Sequence, residues 1–260
     1  MTKRWATMTF IGLLSAACAG SATAVPPPRV SPPPPPALII PASGPVPVMR
    51  ERGGAIPGSA DRACLRTLEK RKLLFVPLSS VRGVRTPVVI TGPIGGVNLL
   101  ARAGRPPVMD CSLARALGEV APVFRKLHVT ALAFSGAYEY RARRGTQKLS
   151  EHAHGLAIDV HAIETTTGRF EVTSDYPRNS RRWESAEPGA GALDRCVGNP
   201  ARNGARTLRS LACRLKLHPA FRVVLTPDDN ADHHDHLHIE TFPGDQRREP
   251  PSPRLLVRNS

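Results

Sequence analysis

Hydrophobic and polar positions recur along the chain with two different periods, which predict a helix and several strands. In residues 112–127 apolar side chains return every three or four positions, the spacing of a helix that buries one face. Ser112 stands where the N-cap of this helix is expected. Four shorter stretches alternate with a period of two, which is typical of strands: residues 130–140, 156–160, 169–173 and 221–225. The mixture predicts an α+β domain.

The N-terminal residues follow the layout of a secretory signal peptide. Lys3 and Arg4 precede an apolar run, residues 5–18, and small residues follow it. The run is shorter than the roughly 20 residues that span a bilayer. We therefore expect residues 1–24 to be removed on export to the periplasm or cell envelope, which leaves a mature form with no integral membrane span. A lipoprotein anchored through Cys18 is the minority alternative.

Composition divides the rest of the chain into three parts. Residues 25–50 are dominated by proline, which predicts an extended polyproline spacer. Residues 51–245 are long enough for one domain with its own core. Residues 246–260 form a basic tail that contains proline. Within the domain, residues 176–203 are rich in Arg, Gly, Ser and Pro and are predicted to form a long loop, pinned by Cys196.

Removal of the signal peptide leaves an even number of cysteines: Cys64, Cys111, Cys196 and Cys213. In an oxidising compartment this number predicts two disulfides. Three pairings are possible, and we favour Cys64 with Cys111 and Cys196 with Cys213 because these pairs close the shorter loops. Cysteine zinc ligands are the alternative, but no two of the four have the CxxC spacing that such sites commonly use.

The charge of the chain limits its partners. Lys and Arg number 36 against 21 Asp and Glu, a net charge of +15, which falls to +13 without Lys3 and Arg4. Outside the cytoplasm this charge suits an anionic cell-envelope polymer or peptide carboxylates. Nucleic acid is not an expected partner, because aromatic residues make up only 5% of the chain and do not alternate with the arginines.

Histidines are concentrated in two short segments, which makes a metal site the main candidate for chemistry. Seven of the nine lie there: His152, His154 and His161 in the first segment, and His233, His234, His236 and His238 in the second. Neutral imidazole together with carboxylate is a common ligand set for zinc. The alternative is that the histidines lie in solvated loops and bind no metal. The neighbouring carboxylates count against this alternative.

Local geometry is expected to gather side chains from each segment on one face. Gly155 permits a sharp bend, so the loop before it can bring His152 over Asp159 in the strand that follows. His236 and His238 stand two residues apart in an alternating stretch and therefore project from the same face. One of them can bind a metal while the other faces a substrate.

These motifs resemble a known group of enzymes. The pattern Ser-x-His-x-x-Gly-x-Ala-x-Asp at residues 150–159, followed by His-x-His at residues 236–238, resembles the LAS zinc peptidases, named for lysostaphin, D-Ala-D-Ala metallopeptidases and sonic hedgehog. With Cys111 and the segment 138–141, the stretch resembles more closely the bacterial extensin-like C-terminal domain. The resemblance covers roughly residues 64–242.

The resemblance implies a LAS/hedgehog-like fold, with a small antiparallel sheet flanked by helices. It implies a zinc ion held by His152, Asp159 and His238, with an open fourth position for water. It also implies a general base at Asp235, three residues before the last ligand, alone or with His236. The base role requires the last strand to begin only after Asp235.

Arg141 follows an aromatic segment at a place where this family shows an arginine. The resemblance implies that Arg141 binds a substrate carboxylate or stabilises developing oxyanion charge. The remaining histidines are expected to do less: His154 to line the cleft, His161 to support a ligand, and His233 and His234 to cap the turn before the last strand.

The expected function is that of an exported zinc metallopeptidase that hydrolyses amide bonds in peptidoglycan stem peptides or crosslinks, as a carboxypeptidase or an endopeptidase. One alternative is a non-catalytic cell-wall-binding module with a structural or vestigial metal site, for which the basic charge and the spacer would suffice. The carboxylate at Asp235 counts against it. Another alternative is metal buffering or sensing, which predicts more than one metal ion per chain.

Overall fold

The part of the chain that the computed structural model describes covers residues 59–102, 104, 107–176 and 191–248. The predicted signal peptide and spacer, and most of the predicted tail, lie outside these residues. Within the described ranges no helix is both long and apolar enough to cross a bilayer.

Runs of strands and runs of helices follow one another along the described residues, which is typical of an α+β domain. The strands are β1 Phe75–Pro77, β2 Pro87–Ile90, β3 Asn98–Ala101, β4 Val108–Asp110, β5 Val129–Phe134, β6 Ala157–Thr165, β7 Gly168–Glu171, β8 Phe221–Leu225 and β9 Leu237–Thr241. The α-helices are α1 Ser59–Lys70, α2 Cys111–Glu119, α3 Ala121–Lys126, α4 Val172–Asp175, α5 Ala192–Val197 and α6 Asn203–Leu217. Two short 3₁₀ helices, Glu151–His154 and Ala231–His233, precede β6 and β9.

The sheets are larger than the small antiparallel sheet that the resemblance implied. Six strands form the main sheet in the order β3-β5-β6-β9-β8, with β7 paired to the far half of β6. Its β3 and β5 run parallel, because the chain between them crosses over through β4, α2 and α3, whereas the other pairs are antiparallel. A second sheet contains β1, β2 and β4.

Strand β6 separates the core of the domain from the face that carries polar side chains. Ile158 and Val160 are fully buried in the hydrophobic core. Asp159, between them, points to the opposite face of the sheet, since successive side chains of a strand alternate. The alternation predicted for this segment is confirmed, and it places a carboxylate on the outer face.

The helix predicted over residues 112–127 is divided into α2 and α3. Its N-cap is Asp110, whose carboxylate accepts a hydrogen bond from the Ser112 backbone N–H at 2.8 Å, so the predicted cap at Ser112 is wrong by two residues. The division falls at Val120, because Pro122 has no N–H to continue the helical hydrogen bonds. The predicted apolar face is confirmed, with Phe124 among the buried side chains.

The predicted strands are confirmed with changed ends. The stretch 130–140 ends as a strand at Phe134, after which the backbone turns over the outer face and Ser135 N–H donates to the Asp159 carbonyl. The stretch 156–160 extends to Thr165 as β6. The stretch 221–225 is β8 without change. Of the predicted loop 176–203, the described part contains α5 and the start of α6, and residues 177–190 lie outside the described ranges.

Both predicted disulfides are present. Cys64–Cys111 joins α1 to α2, and Cys196–Cys213 joins α5 to α6. Paired cysteines of this kind are typical of proteins that fold in an oxidising compartment.

Candidate metal centre

Three side chains from the two histidine segments meet on the outer face of the main sheet. The His152 Nε2 atom lies 3.2 Å from Asp159 Oδ2, and the His238 Nδ1 atom lies 2.7 Å from Asp159 Oδ1. The two histidine nitrogens are 3.3 Å apart. All three groups offer ligand atoms within 4.8 Å of one another, an arrangement that could hold a metal ion. We call these three residues the triad.

Strand pairing and one bend bring the triad together. Asp159 in β6 stands directly opposite His238 in β9 in the antiparallel register. His152 lies in the 3₁₀ helix before β6, where the Ser150 hydroxyl accepts a hydrogen bond from its backbone N–H at 3.4 Å. Gly155 ends this helix in the left-handed conformation, with φ of 65°, and turns the chain into β6. The predicted bend at Gly155 is confirmed, and Ser150 supports the start of the helix that carries His152.

The charges of the triad depend on one another. Burial alone would raise the pKa of Asp159, but hydrogen bonds from His152 and His238 outweigh it and hold the pKa well below its ordinary value. Burial disfavours the charged form of His238, yet its hydrogen bonds to Asp159 and Glu240 raise its pKa to about 9. At neutral pH both His238 nitrogens therefore carry protons, and a metal ion must displace the one on Nδ1.

Glu240 holds His238 from behind, a role that the sequence analysis did not assign. The His238 Nε2–H donates to Glu240 Oε1 at 3.0 Å, while the other Glu240 oxygen lies 2.8 Å from Arg222 Nη2. Arg222 also pairs with Glu151 at 2.6 Å, which ties the residue before His152 to the same network. Carboxylates that accept the second N–H of a metal-binding histidine fix its ring orientation.

Asp235 and His236 form a second pair beside the triad. Strand β9 begins at Leu237, so the condition set for Asp235 is met. The His236 Nδ1–H donates to Asp235 Oδ1 at 2.7 Å, and the His236 Nε2 atom lies 3.5 Å from Asp159 Oδ1. His236 thus faces the triad directly, whereas Asp235 lies behind it.

His161 steadies the turn that carries this pair. Its Nδ1–H donates to the Asp235 carbonyl at 3.0 Å, and its Nε2 accepts from the Ser135 hydroxyl at 2.8 Å. Burial lowers the pKa of His161, helped by Arg102 and His236, which keeps the ring neutral and able to donate on one side and accept on the other. His161 was expected to support a metal ligand. It instead supports Asp235, which is not a member of the triad.

His233 lies closer to the site than the sequence suggested. As expected, it contacts its own turn, with Nδ1 donating to Asn230 Oδ1 at 2.6 Å. Its ring centroid is also 5.0 Å from that of His236 and 5.3 Å from that of His238. Burial, together with His238 and His236, lowers the pKa of His233 to about 4. Two further groups could hold an ion: His233 with His236 and His238, and His161 with Asp235 and His236.

Arg141 reaches the same cavity as the triad. The cavity has a volume of about 370 Å³, and Arg143 and Arg144 also line it. The Arg141 side chain is 45% exposed and donates from Nε to Glu139 at 2.8 Å. The expected position of Arg141 near the site is therefore found, with a carboxylate partner of its own.

The two remaining histidines of the two segments, His154 and His234, lie apart from the triad. His154 donates from Nδ1 to the Gly83 carbonyl at 2.9 Å and lines a separate cavity with Arg85 and Asp110, so it does not line the cleft as expected. His234 is exposed and donates to the Ala231 carbonyl within its turn, as expected of a turn cap.

Comparison with known proteins shows the family to which this domain belongs. The model of the extensin-like protein C-terminus matches residues 62–248, which is more than half of the chain and includes the triad, Asp235 and His236. The chain belongs to this family. No curated protein and no solved structure shows significant similarity to the chain. The extensin-like domain is named without a reaction, so its function has to be argued from the geometry of the site.

Proposed function

We propose that this extensin-like domain is a zinc-dependent hydrolase that cleaves amide bonds in peptidoglycan stem peptides or crosslinks. The observation that carries the proposal is the triad with a hydrogen-bonded acid–histidine pair facing it. A structural zinc site closes its four positions with protein ligands, whereas a catalytic one uses three and leaves one open. The triad supplies three ligands, and His236 lies beside them.

The donor set of the triad fits zinc. His152 would bind through Nε2, His238 through Nδ1 and Asp159 through its carboxylate, and two imidazoles with one carboxylate are a common set for a catalytic zinc. When bound, zinc polarises a carbonyl and lowers the pKa of water from about 16 to about 7. Glu240 holds the His238 ring with its Nδ1 toward Asp159.

His236 is the group that moves the proton. Because its Nδ1–H is donated to Asp235, its Nε2 carries a lone pair, and this atom faces the triad. His236 would take a proton from the attacking water and later give it to the leaving amine. Asp235 fixes the tautomer of His236 and stabilises the imidazolium, so Asp235 acts through His236 and not as the base itself.

Arg141, with its neighbours Arg143 and Arg144, gives the cavity beside the triad a positive field. Arg141 and Arg144 are paired with exposed carboxylates, and exposed ion pairs contribute only about 0–1 kcal/mol, whereas Glu151, the partner of Arg143, is buried. A substrate carboxylate can therefore share or replace the partners of Arg141 and Arg144 at little cost. We assign Arg141 to substrate carboxylates or to charge that develops on the scissile carbonyl.

The proposal extends to the relationship and the location of the protein. The spacing of the triad and of the His-x-His pair supports a LAS/hedgehog-like zinc peptidase, and the two disulfides support export to the periplasm or cell envelope. The basic net charge of +15 supports contact with anionic envelope polymer.

The test is digestion of purified peptidoglycan by the exported chain, with fragments identified by mass. We expect fragments with zinc, none with a chelator, and recovery when zinc is restored. Asp235→Ala and His236→Ala should each lower turnover by about 10²–10⁴-fold with zinc still bound. His234→Ala, an exposed change in the same turn, is the matched control and should leave both unchanged.

Three other outcomes would replace the proposal. Peptidoglycan that is bound but left intact by zinc-loaded protein would favour the wall-binding module. Full activity in both Asp235→Ala and His236→Ala would remove the acid–histidine pair from the reaction. Tight binding of more than one zinc per chain without hydrolysis would favour metal buffering, which the overlapping histidine groups allow.

A further inference from the structure

Two cavities meet at the triad. One has a volume of about 480 Å³ and the other of about 370 Å³, and His152 and Asp159 line both of them. A substrate that lies in either cavity therefore reaches the same pair of side chains. A longer substrate could occupy both cavities at once.

The order of strands in the main sheet places the cavities on opposite sides of β6. The larger cavity is lined by Ala101 at the end of β3 and by Phe134 at the end of β5. The smaller is lined by His238 in β9 and Leu225 in β8. Since β3 and β5 flank β6 on one side and β9 and β8 on the other, the cavities form one cleft across the strands with Asp159 at its middle.

The two arms of this cleft differ in chemistry. Small and apolar side chains, including Ala101, Val108 and Ala137, dominate the arm over β3 and β5. Arginines 141, 143 and 144 line the arm over β9 and β8. The first arm suits small apolar residues such as alanine, and the second suits a chain that carries carboxylates.

Neither arm offers a dedicated partner for a chain terminus. An enzyme that removes a terminal residue needs a cation that clamps the terminal carboxylate at a closed end. Among the described lining residues of the apolar arm there is no Lys or Arg. In the basic arm three arginines share the lining, which suits several carboxylates along a chain and does not single out one clamp for a terminal carboxylate.

From this cleft we infer that the substrate extends past the scissile amide in both directions, so that the extensin-like domain acts as an endopeptidase. The inference rests on the proposed function and adds the kind of substrate to it. The substrate class is a peptide crosslink, or an internal stem-peptide bond, with small residues on one side and free carboxylates on the other. When a terminal residue is released, the part beyond the scissile amide is a single residue, which would fill only part of its arm.

A comparison of two substrates tests the inference. The zinc-loaded chain is given a crosslinked dimer of stem peptides and, separately, an uncrosslinked stem peptide that ends in D-Ala-D-Ala. We expect an internal amide of the dimer to be cleaved at least about tenfold faster than the terminal residue of the monomer is released, about 1.4 kcal/mol of transition-state preference. Equal or faster terminal release would overturn the inference and leave the proposed function standing. Cleavage of neither substrate would remove the proposed function and the inference together.

Variants that block each arm supply a readout besides activity. Gly136→Trp places a side chain in the apolar arm, because Gly136 lines this arm and a Cβ atom added there would meet no atom beyond its chain neighbours within 4 Å. Leu100→Trp, at an exposed position that lines neither cavity, is its control. Gly136→Trp should weaken binding of the crosslinked dimer at least about tenfold by calorimetry and keep its zinc, whereas Leu100→Trp should bind like the wild type. Unchanged binding by a folded Gly136→Trp would overturn the inference.

The basic arm is tested by a change that does not endanger folding. The Arg144 side chain is 87% exposed, so Arg144→Glu should leave the fold intact. It should weaken dimer binding more than Arg169→Glu, a charge change of the same size on β7 outside the cleft. Equal binding by these two variants would also overturn the inference.

Discussion

His238 shows how the site works at the scale of single residues. One of its nitrogens faces Asp159 and the other faces Glu240, so two carboxylates share one ring. When no metal is bound, the two carboxylates favour the protonated, positively charged form of the ring. It also makes the ring a strongly oriented, electron-rich ligand when a metal replaces the proton on Nδ1.

Loss of the Glu240 carboxylate should weaken zinc binding. We expect Glu240→Gln to lower zinc affinity by about 10–100-fold, because the His238 ring loses the anionic partner that orients it. Competition with a chromophoric chelator measures the affinity. Glu164→Gln, which removes a half-exposed carboxylate paired with Arg169 in the same sheet, is the control and should bind zinc normally. Equal affinities in the two variants would show that Glu240 does not support the ligand.

Zinc affinity should depend on pH through His238. Its pKa is raised from the ordinary 6.5 to about 9, so the protonated form contributes stability below pH 6.5 that is lost as the pH rises through 9. Because zinc must displace a proton from Nδ1, affinity should rise about tenfold per unit between pH 7 and pH 9 and then level off. Dissociation constants across this range measure it. A flat profile would mean that zinc does not bind at His238 Nδ1.

The resemblance to the zinc peptidases implied the three residues of the triad, whereas the local pattern alone brought only His152 over Asp159. The sequence could not predict the partners behind them. The position of Glu240 in an alternating strand shows which face it shares with His238, but not that Arg222 from a neighbouring strand holds its other oxygen. For the same reason the sequence could not show that His236 faces the triad and that Asp235 lies behind it. Only the fold shows this arrangement.

At the scale of elements, the bend between the 3₁₀ helix and β6 sets the position of His152. Gly155 adopts φ of 65° there, and a Cβ atom on it would lie 2.6 Å from the Asp110 backbone nitrogen. The Asp110 N–H donates to the Gly155 carbonyl, so the bend is also tied to the end of β4. A side chain at this position would have to move the backbone on both sides.

A paired glycine comparison separates conformation from packing. Gly145 has a similar φ of 70°, but a Cβ atom added to it would meet no other atom within 4 Å, so Gly145→Ala should cost only about 1–2 kcal/mol for the left-handed conformation. Gly155→Ala should cost more and also lower zinc affinity, since relief of the clash displaces His152. Urea unfolding and zinc titration of both variants measure these effects. Equal losses of stability, with unchanged zinc affinity, would contradict the role given to the bend.

Elements with strong patterns were predictable, and short ones were not. Strands β6 and β8 follow clear alternation, whereas the continuous helix predicted over residues 112–127 missed the break between α2 and α3 that Pro122 causes. Strands β1 to β4 have only three or four residues each, too few for a period of two to stand out. The parallel pairing of β3 with β5 depends on a crossover connection, which no local pattern reports.

At the scale of the whole molecule, the two disulfides and the core stabilise the domain whose main sheet carries the cleft. Cys64–Cys111 fixes α1 against the start of α2, and Cys196–Cys213 fixes α5 against α6. The triad draws its residues from β6, β9 and the 3₁₀ helix before β6, so it forms only when the sheet is complete. The pairing of the cysteines was predictable from loop length, whereas the two-armed cleft was not, because it depends on the order of all the strands.

A zinc titration of chelator-treated protein, with release of soluble peptidoglycan fragments followed at each addition, tests the proposed catalytic metal at the triad. If the triad holds the catalytic ion, the rate of release rises from near zero in proportion to added zinc and stops rising at about one zinc per chain, and His238→Ala gives no rise over the same range. A rate that is independent of zinc, or fragments released equally well by His238→Ala, would contradict a catalytic metal at this site.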